Sequence, residues 1–206
     1  MNKRKLLVIA SSLYCGCLLV SNIIAGKTFD AGVTSLPCAV IIFPMVYILN
    51  DLLTEIYGFR KARMIVFTGF AVNLVAVAAY ELTIILPCSA FFSSQDAYAT
   101  VLGSTPRVLL ASLSAYVFGS LLNAKVMEKM KERWETALMA RCIGSTLLGE
   151  SVDALLFITI AFACTMPVPA LLGMIASQAA FKTLYELVVY PITRTVIKWA
   201  RELPEG

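Results

Sequence analysis

The chain contains no histidine. That absence removes the commonest general base, the usual imidazole metal ligand, and every Ser-His or Cys-His dyad on which hydrolases are built. Charge is also scarce. Only 15% of the 206 residues are charged against 59% hydrophobic, and the mean hydropathy is +0.82. A chain so poor in charge belongs with proteins built in a bilayer rather than with soluble domains. Cys-x-x-Cys pairs are missing too: the six cysteines stand at 15, 17, 38, 88, 142 and 164. Cys15 and Cys17 point in different directions on a helix, so they make a poor metal clip, and most of the six read as small buried hydrophobes. Cys38 and Cys88 both fall near the expected outer surface, where a disulfide stays open as an option. No cofactor is expected.

What is present is a succession of apolar runs. Spans of ~20 apolar residues cross a hydrocarbon core of ~30 Å. The expected helices are 6–25, 33–57, 64–86, 108–127, 139–164 and 170–196, giving an all-α, polytopic six-helix bundle in one transmembrane domain, residues 1–206. Lys3-Arg4-Lys5 ahead of the first run resembles a signal peptide, but the run is too long for a typical h-region and has no A-x-A site, so it is read as a retained helix. Gly26-Lys27-Thr28 matches the tail of a phosphate-binding loop. Ser21 stands where that motif needs glycine, and the segment follows a helix instead of a strand, so no nucleotide cradle is implied. Pro44, inside the second run, lacks an amide donor and is expected to kink or break that helix.

The positive residues sort by side. Of the 17 Lys and Arg, 14 lie at the N-terminus, in the second-to-third connection (Arg60, Lys61, Arg63), in the charged loop expected from Lys125 to Arg141, and in the tail (Arg194, Lys198, Arg201). Six crossings put all of these on one face, so both termini are expected in the cytoplasm. The net charge of +4 is therefore the mark of orientation in a membrane, and no nucleic-acid partner is expected. Two three-helix halves of opposite orientation, an arrangement many carriers use, fit this count.

Against this apolar background the polar residues stand out. Gly149-Glu150-Ser151-Val152-Asp153 places two carboxylates near the middle of the fifth run, where each ionised acid costs at least ~2.5–3.5 kcal/mol. The sixth run carries Gln178, Lys182 and Glu186 at successive i+4 steps, with Tyr185 beside them. At 1.5 Å per residue, Glu150 lies roughly 17 Å and Lys182 roughly 12 Å from the inner face, a difference a lysine stem spans. An ion pair from Lys182 to Glu150 or Asp153 is expected, with Glu150 partly occupied by the lysine and Asp153 turned to a ligand. On the second run Tyr47, Asp51, Thr54 and Glu55 share a face, read either as a helix end entering the interface or as the inner mouth of a cavity. Asn22 on the first run, Glu81 on the third and Phe157 on the fifth complete the candidates. Polar side chains also clamp membrane helices together, but Glu150, Asp153, Glu186, Glu81 and Asp51 outnumber Lys182. Unpaired acids in lipid call for protons or a donor-rich ligand.

Phe43-Pro44, Asn50-Asp51-Leu52, Glu55-Ile56-Tyr57-Gly58, Arg63, Ser145, Gly149-Glu150-Ser151-Val152-Asp153, Phe157-Ile158-Thr159-Ile160-Ala161-Phe162, Lys182 and Pro191, in that order, resemble the bacterial vitamin-uptake transporter family of queuosine-precursor transporters. The resemblance covers nearly the whole chain. It implies a six-helix inner-membrane carrier that salvages 7-deazaguanine bases for tRNA modification. Such a base offers adjacent N–H donors that one carboxylate, Asp153 or Glu150, can accept together, and a flat ring for Tyr47, Phe157 or Tyr185 to stack on.

The expected partners are thus a small-molecule base and the lipid bilayer. A homo-oligomer is compatible with this, and a separate energising module is not expected. Two alternatives stand beside a carrier working by alternating access. One is a substrate-capture subunit, or a proton-coupled carrier of another vitamin-like molecule. The other is an intramembrane enzyme using Glu150 and Asp153 as an acid pair or as ligands for a hard cation, against which no phosphate-binding motif accompanies them.

Overall fold

The first apolar run begins as a helix where Asn2 caps it, its side-chain oxygen accepting the Lys5 amide at 2.9 Å and so meeting one of the orphan donors every helix start leaves. A computed structural model describes residues 1–32, 34–133 and 138–204. The helices are α1 (Lys3–Ile24), α2 (Phe43–Tyr57), α3 (Phe59–Ile85), α4 (Gln95–Leu102), α5 (Thr105–Arg133), α6 (Leu138–Phe162) and α7 (Val168–Arg201). Among the described residues, α1, α3 and the span Gln95–Leu122 through α4 into α5 are long and apolar enough to cross a membrane. The protein is an all-α membrane protein in its main architecture.

Three expectations need correction. The second helix does not start at 33. Thr28–Asp30 (β1) and Ser35–Pro37 (β2) pair as a hairpin, a 3-10 turn covers Cys38–Ile41, and α2 starts at Phe43. The reasons are local: Gly32 adopts φ +89, which side chains disfavour, and Pro44 falls in the first turn of α2, where its missing N–H breaks no bond. The break expected at Pro44 is thus a helix start, and α2 at its 15 residues is only about 22 Å long. Second, the connection between 86 and 106 contains α4, whose Gln95 side chain donates to the Ile84 carbonyl at 3.1 Å. Third, α5 runs on to Arg133, so Lys125 and Lys129 sit on a helix and not in a loop.

The chain divides into two compact units: Met1–Lys27, Pro37–Leu109 and Val188–Gly206, and Thr28–Leu36 with Leu110–Leu187. In the first, α1 packs on α2 and α3. Leu6, Ala10, Tyr14, Leu18 and Asn22 form a buried i, i+4 stripe on α1, as one face of a 3.6-residue period must. Gly69 of α3 meets it so closely that an added Cβ would lie 3.1 Å from Leu18 and 3.2 Å from Tyr14. Gly58, at φ +83, makes the sharp turn between α2 and α3, and the Tyr57 hydroxyl ties that corner to the Lys3 carbonyl at 2.6 Å.

In the second unit the buried stripes are Ala111, Ser112 and Ala115 on α5, Ala154, Phe157, Ile158 and Ala161 on α6, and Met174, Gln178 and Lys182 on α7. The uncovered faces are apolar as well: Val8, Leu13 and Val20 on α1, Val75 and Leu82 on α3, Leu147, Leu148 and Leu155 on α6, and Leu172 and Leu184 on α7 are all exposed. Apolar side chains on the outward faces, with polar ones such as Asn22, Asn73, Gln178 and Lys182 buried, fit a lipid surround, because hydrocarbon solvates the former and not the latter.

Candidate functional site

α6 and α7 adjoin through the short turn around Cys164 to Pro167, so their residues can be levelled by counting from it. Asp153 lies nine residues and Glu150 twelve residues before the end of α6 at Phe162, about 14 and 18 Å along the axis. Lys182 lies fourteen residues beyond Val168, about 21 Å. Its stem reaches back towards the acids, as a long aliphatic chain with a charged tip does. The ammonium donates a hydrogen bond to Asp153 Oδ2 and stands 3.2 Å from Glu150 Oε2. The lysine side chain is 6% exposed, and the acids 21% and 20%.

The expected ion pair is present, and Lys182 engages both acids rather than Glu150 alone. Lys182 makes its hydrogen bond to Asp153, while Glu150 Oε2 is buried near the ammonium without a hydrogen bond of its own. Both acids are thus partly engaged by the one ammonium, Asp153 through a hydrogen bond and Glu150 through an ion pair at 3.2 Å. One ammonium faces two carboxylates, and that excess is what a donor-bearing ligand or a proton would answer. Among the described residues no cluster of His, Cys, Asp and Glu suits a metal ion.

The close approach of α5 sets the level of Asp153. A Cβ on Gly119 would lie 3.1 Å from Asp153 Cβ and 3.1 Å from the Gly149 carbonyl oxygen. A side chain there would press on α6, which would have to give way by a few tenths of an ångström. Phe157 is buried one turn beyond Asp153 and meets Phe162 edge-on at 6.5 Å between centroids. Tyr185 stacks on Phe181 at 6.2 Å. Glu186 sits on α7, but its side chain lies outside the described residues.

The remaining candidates belong to the first unit. Asn22 is buried on α1 and donates to Asn73 Oδ1 at 2.9 Å; Asn73 in turn donates to the Gly69 carbonyl at 2.9 Å. The Asn22 oxygen has no hydrogen-bond partner. Tyr47 stacks with Phe43 at 6.0 Å. Asp51 is exposed, and Glu55, also exposed, pairs with Arg201. Glu81 is half-buried, four residues from the end of α3. The Cys38 and Cys88 thiols are free.

Sequence reasoning did not include Gln178, Asn73 or Gly119 among the candidates. Gln178 is 2% exposed and its Oε1 lacks a partner. Its place one turn ahead of Lys182 was the available signal. Asn73 could have been found as a lone amide in an apolar run, whereas the importance of Gly119 depends on a neighbour helix that no local pattern reveals.

Three curated proteins resemble the chain. A "Probable queuosine precursor transporter" of Bacillus subtilis is 27% identical over 153 residues, covering 73% of this chain and 67% of that protein. The "Queuosine precursor transporter" of Escherichia coli is 29% identical over 162 residues, covering 76% and 65%. A Haemophilus influenzae protein with the same name as the first is 28% identical over 124 residues, covering 58% and 49%. The chain thus spans about two thirds of the length of the first two and about half of the third. No solved structure matches it. Residues 37–196, which include α2, α3, the α6 acids and Lys182, match the family described as "Putative vitamin uptake transporter", and the chain belongs to that family of transporters.

Proposed function

We propose that the chain is a carrier that imports a queuosine precursor, a 7-deazaguanine base, across a bacterial cytoplasmic membrane by alternating access. Six crossings carry it: α1, the 3-10 turn with α2, α3, α5, α6 and α7, with α4 on the outer side and both termini in the cytoplasm. What supports this orientation is the gathering of Lys and Arg at the ends and connections that six crossings place on one side.

The single observation that carries the reading is the Lys182 ammonium held between Glu150 and Asp153, one cation against two carboxylates. A 7-deazaguanine presents ring and amino N–H groups side by side, and a carboxylate accepts two such donors at once. In this reading Glu150 takes the base, while Asp153 holds Lys182 so that the acids do not repel each other when the site is empty. Tyr185, half-buried three residues past Lys182, is the aromatic ring for the flat base in this reading, while Phe157 is packed away at 2% exposure. An aminomethyl substituent would add a cation that the excess carboxylate charge suits.

The test is uptake of labelled 7-deazaguanine by cells unable to make it, comparing wild type with Glu150→Gln, Asp153→Asn and Lys182→Ala at equal expression. The wild type is expected to accumulate the base and each variant to lose at least about tenfold, the value of one charge-assisted hydrogen bond. Undiminished uptake in all three would remove the site from this place.

A further inference from the structure

Among the described residues of the second unit, Gln178 is the most deeply buried polar side chain that neither the ion pair nor the proposed ligand contacts use. It is 2% exposed, and its Oε1 has no hydrogen-bond partner. A buried carbonyl oxygen left in this state costs on the order of 1–3 kcal/mol. Retaining one in a helix otherwise rich in Leu, Ala and Val calls for a compensating use.

Its position suggests that use. Gln178 precedes Lys182 by four residues, so the two project from the same face of α7, and both are buried with Met174 in one stripe. Counted from the α6–α7 turn, Gln178 lies ten residues past Val168, about 15 Å along the axis, and Asp153 nine residues before Phe162, about 14 Å. Gln178 is thus level with Asp153, on the face from which Lys182 reaches back. The carboxylates offer charged acceptors there, and Gln178 offers a neutral one.

We infer that Gln178 is a specificity residue of the carrier: its Oε1 accepts an N–H of the bound heterocycle that the carboxylates do not take. The inference rests on the proposed function. A site with acceptors on more than one edge of a flat base reads its donor pattern, and an analogue lacking one donor strands a buried acceptor, which is the strongest means of rejection available to a binding site. The charged pair alone would attract any donor-rich molecule; the amide adds discrimination by position.

The test is competition against uptake of labelled nitrile-bearing 7-deazaguanine by purified protein in liposomes. The unlabelled competitors are the parent base and its derivatives methylated singly at the pyrimidine ring nitrogen, the exocyclic amine or the pyrrole nitrogen. Wild type is compared with Gln178→Met, which keeps the shape and loses the acceptor, and with Gln178→Glu, which keeps an acceptor. In wild type, methylation at one nitrogen read by Gln178 is expected to weaken competition about 5- to 150-fold. In Gln178→Met the parent base weakens by a similar factor and that one derivative competes as well as the parent, while the other derivatives remain poor. Gln178→Glu retains the wild-type order. Should Gln178→Met weaken the parent and every derivative by one common factor, or change nothing, the residue is structural and the inference is overturned. If wild type takes up no 7-deazaguanine, the proposed function falls as well, so the two failures are distinct.

Discussion

A lysine held against two carboxylates in an apolar helix pair is tolerable only as a set. Removing Lys182 leaves Glu150 and Asp153 facing each other in a poorly solvated place, and breaking such a pair from one side costs about 3–5 kcal/mol. Lys182→Ala is therefore expected to lower the melting temperature of the purified protein more than Lys182→Met combined with Glu150→Gln and Asp153→Asn does. Equal or greater damage in the triple variant would deny the ion set its structural part. The Asn22–Asn73 pair invites the same logic at smaller scale. Asn73→Leu strands the Asn22 amide, whereas Leu at both positions restores an apolar contact. Thermal melts of the two should differ in favour of the double variant by on the order of 1 kcal/mol. At this scale much was legible: an acid pair and a lysine at comparable depth sufficed to expect their meeting. What sequence did not supply was which acid takes the hydrogen bond, because that depends on side-chain direction within about an ångström.

Helices with long apolar runs announced themselves, and α1, α3, α5, α6 and α7 each overlap one of the expected six, with ends that differ by up to six residues. The second did not, since a hairpin of three-residue strands and a 3-10 turn have no period to detect. The eight-residue α4 escaped for the same reason. Element packing also hides in single atoms. Gly119 has no distinguishing local sequence, yet it lets α5 approach α6 to the point where a Cβ would press on Asp153 and the Gly149 carbonyl. Gly119→Leu is expected to push these helices apart at the acids, at about 1–3 kcal/mol of overpacking. Uptake should fall well beyond the loss of folded protein, measured as transport per molecule that remains monodisperse after purification. A fall in transport no larger than the loss of folded protein would mean that α5 does not position the acids.

For the whole molecule, composition and the distribution of Lys and Arg carried the membrane assignment, and the outward leucines of α6 and α7 agree with it. Orientation is open to a direct check with native thiols. Cys88, between α3 and α4, and Cys164, between α6 and α7, are free and exposed. With both termini in the cytoplasm, a membrane-impermeant maleimide should label both in right-side-out vesicles. Labelling only in inside-out vesicles would reverse the topology. The central claim, that this chain itself moves a 7-deazaguanine, is tested most directly by reconstituting the purified wild-type protein alone in liposomes and measuring entry of the labelled base. The account predicts saturable uptake over protein-free liposomes that Glu150→Gln reduces at least about tenfold. Vesicles that bind the base at their surface but never accumulate it, with wild type and Glu150→Gln alike, would contradict it.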